Sequence, residues 1–269
     1  MLVAGKERCI RCMHLLDEKG HCAKCEFDAS SYKQPNMALP LGTCLNERYF
    51  LGKVLGEGGF GITYVAWDIV LMVPVAVKEY FPSGIATREK EGPQTGTLQI
   101  YEGKSELEFE KGKEDFLKEA RSLSRFMKLP SIVSVRDFFQ ENRTAYIVME
   151  YVEGTRVRNY IRKNGKMSGE QVLALMELPE NTITVSIKRG FSPEEQYRAK
   201  GEQGPWTDLY SLCGTMYFML TGKIPDESVE RVYADHLVPL RQWEDVKLPM
   251  QAKCAIDKGM AVLAKDRWQ

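Results

Sequence analysis

The chain has 269 residues, of which 43% are hydrophobic and 28% charged, a composition typical of soluble globular proteins. Its 37 Lys and Arg residues balance its 37 Asp and Glu residues, so charge gives no strong signal for nucleic acid or an anionic membrane surface. No apolar run reaches the length of a membrane span, and the N-terminus lacks the apolar region of a signal peptide. We therefore expect a cytoplasmic protein, although the sequence does not address whether an anchor follows Gln269.

Two C-x-x-C pairs lie near the N-terminus and predict a zinc ribbon over residues 1–28. Each pair supplies two thiolates on a tight turn, and two such turns make a tetrahedral zinc site. A disulfide is disfavoured without a secretory signal, and a redox pair is disfavoured by the duplication. Because four thiolates complete a structural site, His14 and His21 are predicted to be bystanders. The segment is similar to short zinc ribbons fused to bacterial regulatory proteins. The predicted ligands are Cys9, Cys12, Cys22 and Cys25.

Residues 29–47 are polar and aperiodic and are predicted to be a linker. A glycine-rich G-x-G-x-x-G string follows, from Leu55 to Tyr64. Glycine lacks a Cβ, so its amide can approach a phosphate closely. Alone, the string equally suits a tight hairpin turn. A dinucleotide-binding turn would need a helix beginning at the third glycine, whereas residues 63–68 alternate as a strand does.

The next strand, Val75-Ala76-Val77-Lys78, places its valines on one face and Ala76 with Lys78 on the other. That second face offers a small contact for a flat ring and a cation for phosphates. Residues 113–127 are predicted to form a helix with Phe116 and Ala120 on its apolar face. Glu119 shares that face and needs a partner, for which Lys78 is the natural candidate. The alternative is that Glu119 reaches solvent at the rim of the helix.

Strand, glycine turn, strand and V-A-V-K follow the order of the protein kinase signature. The sequence resembles the bacterial Ser/Thr protein kinases of eukaryotic type. The resemblance implies an α+β, protein kinase-like two-lobed fold: a small lobe with hinge at residues 48–154 and a truncated helical large lobe at residues 155–269. It also implies that Lys78 and Glu119 form the catalytic ion pair.

The same resemblance assigns an ATP site to the small lobe. Met149 would guard the back of the pocket, and the backbone C=O of Glu150 and N–H of Val152 would pair with adenine. Thr63 stands where the family carries Val. Strands are predicted at residues 132–139 and 145–150, and a hairpin at residues 97–101 and 106–109. The implied ATP-binding residues are Leu55, Gly56, Gly58, Gly59, Phe60, Gly61, Thr63, Ala76, Lys78, Met149, Glu150 and Val152.

The resemblance breaks after the hinge. The family carries H-R-D-L-x-x-x-N and then D-F-G, which supply the catalytic Asp and the magnesium ligands. None of the three histidines here precedes Arg-Asp, and no Asp-Phe-Gly occurs. Asp137-Phe138 is a decoy, because it lies before the hinge in a strand pattern. Helices predicted at residues 156–163 and 168–176 leave too little chain before Pro193 for the missing parts, so an internal deletion near Met176 is inferred.

The resemblance to the kinase family resumes at residues 190–197. These residues resemble the end of an activation segment, with Glu195 as the A-P-E acid. Residues 206–212 resemble the central large-lobe helix, and further helices are predicted at residues 228–237 and 250–263. Arg267 lies in a sequence similar to the closing motif, whose Arg pairs with that Glu. We expect a Glu195–Arg267 pair, an Asp208 that lacks its catalytic-loop partners if it is buried, and irregular structure at residues 176–187.

Three functional interpretations fit these observations. In the first, the chain is a pseudokinase that binds ATP weakly and does not transfer phosphate, with magnesium in doubt because its ligands are missing. In the second, it is a scaffold protein that meets a protein partner through the zinc ribbon or the large lobe. In the third, an active kinase lacks its catalytic segment in this sequence.

Overall fold

The computed structural model describes residues 1–3, 5–89, 96–103, 106–126, 133–177, 190–197 and 201–268. The chain divides into two compact units, Met1–Val152 and Glu153–Gln269. Unit 1 carries all the strands of the described chain and one long helix, and unit 2 is helical. The α+β class expected from the sequence is confirmed.

A six-stranded antiparallel sheet in the order β3-β4-β5-β6-β10-β9 forms the centre of unit 1. The tight β9–β10 turn contains Asn142 and Arg143, whose φ values are 52° and 60°. Two short two-stranded sheets, β1–β2 and β7–β8, accompany the main one. The strands are β1 (Leu2–Val3), β2 (Lys6–Glu7), β3 (Cys44–Leu45), β4 (Tyr49–Gly58), β5 (Gly61–Asp68), β6 (Val73–Tyr80), β7 (Ala86–Arg88), β8 (Leu98–Ile100), β9 (Val135–Glu141) and β10 (Thr144–Glu150).

The two faces of this sheet have different coverings, because side chains alternate along each strand. Tyr64 and Ala66 of β5 belong to the main core with Phe109 and Phe116 of helix α1 (Glu106–Leu123). The intervening residues of β5, Val65 and Trp67, belong to a separate cluster with Val3 and Met13. The N-terminal segment therefore packs on the face opposite the one that carries Tyr64 and Ala66.

The hairpin predicted at residues 97–101 and 106–109 was wrong in its second strand and in its pairing. The predicted strand at residues 106–109 is the first turn of α1, where Glu106 and Glu108 suit the positive end of the helix dipole. Phe109 is buried with Phe116, seven residues and two turns later. The partner of β8 is β7 instead, with Thr87 opposite Gln99.

The interval predicted as a linker, residues 29–47, contributes to the core. Leu39 and Leu45 are almost completely buried, and the N–H of Leu39 donates to Tyr64 Oη at 3.0 Å. Cys44 and Leu45 form β3, which pairs with the start of β4. Isolated buried leucines carry no periodic signal, which is why a polar composition concealed their packing.

Unit 2 contains five α-helices in its described residues: α2 (Val157–Asn164), α3 (Gly169–Glu177), α4 (Pro205–Thr221), α5 (Ser228–Tyr233) and α6 (Met250–Gly259). Its core includes Tyr217 and Met219 of α4 with Ile256 of α6. Helices α5 and α6 end earlier than predicted, and beyond α5 the chain is extended at Ala234. Residues 178–187 of the predicted irregular segment lie outside the described residues. None of the helices described in either unit combines the length and apolarity needed to cross a bilayer.

Candidate functional site

The glycine string forms the turn between β4 and β5, with Gly58 opposite Gly61 and with Gly59 and Phe60 at the tip. A Cβ at Gly61 would lie 2.5 Å from the carbonyl oxygen of Glu79, so this position requires glycine for β6 to approach. A Cβ at Gly58 or Gly59 would meet nothing within 4 Å. The tip is thus tied to β6 on one side and open around its other two glycines.

The remaining predicted residues of the V-A-V-K strand lie beside this turn. Thr63 pairs with Lys78, and Val65 pairs with Ala76. On the other edge of β6, Ala76 pairs with Met149. The sheet therefore brings Thr63, Ala76 and Lys78 to one face in successive rows, with Met149 in the neighbouring strand.

Lys78 contacts the predicted acid on α1. Its Nζ lies 3.3 Å from Glu119 Oε1 and 5.3 Å from the ring centre of Phe116. The Lys78 side chain is 34% exposed and that of Glu119 is 52% exposed. Both sequence-based alternatives thus describe Glu119, which pairs with Lys78 and also lies at the solvent-exposed rim.

Glu79, the next residue along β6, forms a buried network that the sequence analysis missed. Its Oε1 lies 2.6 Å from Arg88 Nη2, and it accepts hydrogen bonds from Tyr64 Oη at 2.8 Å and Tyr146 Oη at 3.0 Å. Glu79 is 0% exposed. The sequence did carry a signal for this burial. Glu79 alternates with Val75 and Val77, so it lies on the same buried face of the strand.

The four predicted zinc ligands come together in the N-terminal segment. Their Sγ atoms all lie within 4.8 Å of one another, with Cys9–Cys25 at 3.5 Å and Cys12–Cys22 at 3.4 Å. A tetrahedral site with zinc–sulfur bonds of about 2.3 Å has sulfur–sulfur edges of about 3.8 Å. The cluster fits a four-thiolate metal site with small adjustments, and the cysteines are free of disulfides.

Burial raises the pKa of Cys12 and of Cys25, whereas the pKa of Cys22 is lowered. Burial opposes ionisation of Cys22, but N–H groups of Cys25 and Lys24 and the thiol of Cys12 lower its pKa to about 7. His14 contacts the Cys12 carbonyl oxygen at 3.1 Å, and His21 lies 3.9 Å from Asp17. Neither histidine joins the metal-compatible group found among the described residues.

In unit 2, the predicted pair between Glu195 and Arg267 is confirmed. Arg267 Nη1 donates to Glu195 Oε1 at 2.7 Å and Nη2 donates to Oε2 at 3.2 Å, with both residues buried. Thr207 also donates to Glu195 at 3.0 Å. Burial opposes ionisation, but these donors hold the pKa of Glu195 below its usual value.

The premise of the Asp208 prediction was wrong. Asp208 lies in the first turn of α4 and is exposed. An exposed carboxylate is hydrated, so the cost of an unsatisfied buried group does not arise. The decoy at Asp137 lies in β9 as expected, where it accepts a hydrogen bond from Tyr49 Oη at 2.7 Å.

Comparison with known proteins decides the family. The family description "Protein kinase domain" matches residues 49–184, half of the chain. The chain belongs to the protein kinase domain family.

Among curated members of the kinase family, two bacterial enzymes are similar to this chain. It is 32% identical over 137 residues to the serine/threonine-protein kinase PrkC of Bacillus subtilis. The matched region is 51% of this chain and 18% of the relative. It is 31% identical over 139 residues to serine/threonine-protein kinase B of Synechocystis, spanning 49% of this chain and 21% of the relative. The matches thus span about a fifth of each relative.

A solved structure, "PpkA-294 apo form", has a TM-score of 0.65 and 26% identity to this chain. The match covers 86% of this chain and 96% of the other. The kinase-like fold, with its β-rich small lobe and helical part, therefore extends beyond the half of the chain that the family description matches.

Proposed function

We propose that this protein kinase family member binds ATP weakly at its small lobe and does not transfer phosphate. The observation that carries the proposal is the contrast between two parts of the chain. The glycine turn and the Lys78–Glu119 pair are assembled, while the sequence contains no H-R-D and no D-F-G.

The small-lobe geometry supplies the groups that a nucleotide needs. The turn leaves space around Gly58 and Gly59, where a Cβ would meet nothing within 4 Å, and Lys78 adds a cation held by Glu119. Ala76 presents only a methyl group beside Met149 in the next strand, and Leu55 belongs to the neighbouring apolar cluster. Gly56, Phe60 and Thr63 complete the turn, and the backbone of Glu150 and Val152 is the proposed adenine edge.

Phosphate transfer needs more than this. A positioned general base contributes about 10²–10⁴ in rate, and charge neutralisation by metal ions is usually the larger contribution. In the kinase family those groups come from the H-R-D-L-x-x-x-N and D-F-G sequences, which this chain lacks. We therefore expect transfer below detection and weakened nucleotide binding, and no ordinary magnesium site.

A binding assay and a transfer assay together test the proposal. Titration with a fluorescent ATP analogue should show saturable binding that Lys78→Met weakens and that Lys118→Met leaves unchanged. Lys118 is a matched control, since it pairs with Asp115 at 2.9 Å on the exposed surface of α1. With radiolabelled ATP, incorporation should equal that of Lys78→Met. Incorporation above that level would mean that another acid performs the base role.

We also propose that Cys9, Cys12, Cys22 and Cys25 hold one zinc ion with a structural role, in a reducing compartment such as the cytoplasm. The sulfur–sulfur distances support this assignment. Metal analysis should find about one zinc per chain, lost in the Cys22→Ser, Cys25→Ser double variant. Reduced protein that purifies without metal would contradict it.

In the scaffold alternative the ribbon meets a partner while it is packed against the sheet of unit 1. Nucleotide titration separates the two functions, because a scaffold predicts no saturable ATP binding. The mass of the native protein tests the remaining interpretation. A mass larger than 30.7 kDa by an internal segment would mean that the native kinase retains its catalytic parts.

A further inference from the structure

The first knuckle of the zinc ribbon, residues 9–13, contacts β4 through residues that adjoin two of the predicted metal ligands. Ile10 directly follows Cys9, and its carbonyl oxygen accepts a hydrogen bond from the N–H of Lys53 at 2.8 Å. Met13 directly follows Cys12 and is 0% exposed. Because each contact residue is bonded to a ligand residue, a change in where the two cysteines lie moves both contacts with β4.

The approach of the knuckle to β4 is close. A Cβ at Gly52 would lie 2.5 Å from the Ile10 carbonyl oxygen and would overlap the Met13 side chain. Met13 has a φ of 63°, in the left-handed region that residues other than glycine adopt at a cost. Its N–H donates to the Cys9 carbonyl oxygen at 3.0 Å, which closes the knuckle. The position of Met13 on β4 therefore depends on the closed form of the knuckle.

The part of β4 that the knuckle contacts is irregular. Its pairing with β5 shifts in register between Leu51 and Val54, and again between Val54 and Gly56. Such bulges interrupt the ladder and redirect the strand, and they are frequent beside active sites. Hydrogen bonds from outside the sheet serve this stretch, since the N–H of Val54 donates to Tyr32 Oη at 3.0 Å. The strand that leads into the glycine turn is thus held by the N-terminal segment as well as by β5.

A second contact joins the cysteine cluster to the same strand. Phe27 packs against the cluster of buried cysteines. The Nζ of Lys53 lies 4.8 Å from the ring centre of Phe27 and 5.3 Å from that of Tyr32. Both the backbone and the side chain of Lys53 therefore contact the N-terminal segment, three residues before the first glycine of the turn.

The ribbon also packs near the proposed adenine slot. Met13 and Val65 belong to one buried cluster, and Leu55 and Tyr151 pack against that cluster. Leu55 directly precedes Gly56 of the turn, and Tyr151 lies in the proposed adenine edge. The elements on two sides of the slot thus share their packing with the first knuckle.

We propose that metal occupancy of the ribbon controls the glycine turn. With the four cysteines on one zinc ion, the first knuckle holds residues 52–56 and the turn is pre-organised, and without the metal this stretch is released. The inference rests on the zinc site proposed above, and its consequence for ATP rests on the proposed nucleotide site. A ligand binds more tightly when the order that it needs is supplied beforehand.

The first test needs no nucleotide. Amide hydrogen exchange is followed by NMR on the full chain, zinc-loaded and after removal of zinc by a chelator. The amides of Lys53 and Val54 should lose protection at least about tenfold, as expected when a backbone hydrogen bond opens locally, and the Gly56 resonance should shift. The Cys22→Ser, Cys25→Ser double variant should give the same result with the first knuckle unchanged in sequence. Amides of the β6–β10 ladder should keep their protection.

The second test measures the coupling at the nucleotide site. Zinc-loaded protein should bind a fluorescent ATP analogue about fivefold or more tightly than zinc-free protein, the lower end of typical coupling between sites. Linkage requires saturating ATP to raise the zinc affinity by the same factor, measured in a chelator buffer that fixes free zinc. Gly52→Ala retains the four cysteines and should keep zinc but lose the coupling. Gly84→Ala is the matched control, because a Cβ there meets nothing within 4 Å.

The outcomes separate this inference from the proposals on which it rests. Loss of zinc that leaves Lys53, Val54 and Gly56 unchanged overturns it. Equal loss of protection along the β6–β10 ladder also overturns it, since zinc would then stabilise unit 1 as a whole, and so does a zinc effect that survives in Gly52→Ala. A chain that takes up no zinc overturns the zinc proposal and this inference together, and metal analysis identifies that case. Coupling of zinc to the turn without ATP binding supports the inference and contradicts the nucleotide proposal alone.

Discussion

Lys78 and Glu79 are neighbours on β6, and each forms an ion pair, but the two pairs lie on opposite faces of the sheet. Glu79 and Arg88 are 2.6 Å apart with side chains that are 0% and 2% exposed. Lys78 and Glu119 are 3.3 Å apart with side chains that are 34% and 52% exposed. The first pair is enclosed by Tyr64 and Tyr146, while the second faces the open side of the glycine turn.

This difference separates two physical roles. A buried pair is costly to break, because the surviving partner is left as a charge without solvent. An exposed pair contributes little to stability, since water solvates either partner. The Glu79 pair therefore serves the structure of unit 1, and the exposed Lys78 pair is the one to which we assign a ligand-directed role. Arg88 also donates to the Met37 carbonyl oxygen at 2.8 Å, so it ties the segment before β3 to the inserted hairpin.

The largest expected effect comes from Arg88→Met. Removing the guanidinium leaves Glu79 buried without its cation, which should cost unit 1 about 3–5 kcal/mol. Trp67 is the one tryptophan of unit 1, so a fluorinated Trp67 reports urea unfolding of that unit alone.

Arg143→Met is the control for this variant, because Arg143 pairs with Glu106 at 3.0 Å with both side chains more than half exposed. It should change stability by no more than about 1 kcal/mol. Equal destabilisation by the two variants would show that burial does not separate the pairs as argued.

Arg267→Met extends the comparison to the helical unit and should cost about 3 kcal/mol. The pKa of Glu195 is held below its usual 4.5, so this carboxylate stabilises unit 2 above that pH. The contribution is lost as the pH falls through the lower, folded value. In Arg267→Met the pH at which this stabilisation is lost should move toward 4.5, and the size of the loss should decrease.

Unfolding followed at Trp206, Trp243 and Trp268 between pH 7 and pH 3 measures this effect. Arg241→Met is the control, because Arg241 lies 3.6 Å from Asp257 and its side chain is 54% exposed. An acid profile of Arg267→Met that matches the unmodified protein would contradict the role of the pair.

The sequence predicted those features that depend only on residues close together in the chain. Paired C-x-x-C motifs, V-A-V-K and the alternation of β5 all use neighbouring residues, and the structure has them as expected. It did not predict what covers each face. The partner of Glu79 lies nine residues away in an inserted hairpin, and Asp208 was placed by analogy rather than by its own surroundings. Periodicity identifies an apolar face, whereas the element that packs on it depends on the folded chain.

The packing of the ribbon is a case that only coordinates reveal, and Gly52 tests it. A Cβ at Gly52 would lie 2.5 Å from the Ile10 carbonyl oxygen and would also overlap Met13. Gly52→Ala should therefore displace the ribbon from β4 at a cost of about 1–3 kcal/mol. The amide of Lys53, which donates to the Ile10 carbonyl oxygen at 2.8 Å, should lose protection from hydrogen exchange.

Gly84→Ala is the matched control, since a Cβ at Gly84 meets nothing within 4 Å. The Lys53 amide should stay protected in that variant. Protection that survives equally in Gly52→Ala would mean that the ribbon does not need this close approach.

The smallest effect on stability is expected for Lys78→Met, and it sharpens the contrast with Arg88. The Lys78 pair is partly hydrated, so its loss should change the unfolding free energy of unit 1 by about 0–1 kcal/mol. ATP binding should nevertheless fall, because Lys78 is the cation beside the glycine turn. Measuring both quantities on one sample, by Trp67 unfolding and by nucleotide titration, separates a ligand-directed residue from a structural one. If Lys78→Met destabilised unit 1 as strongly as Arg88→Met, weakened ATP binding would follow from unfolding, and Lys78 would lose its assigned role.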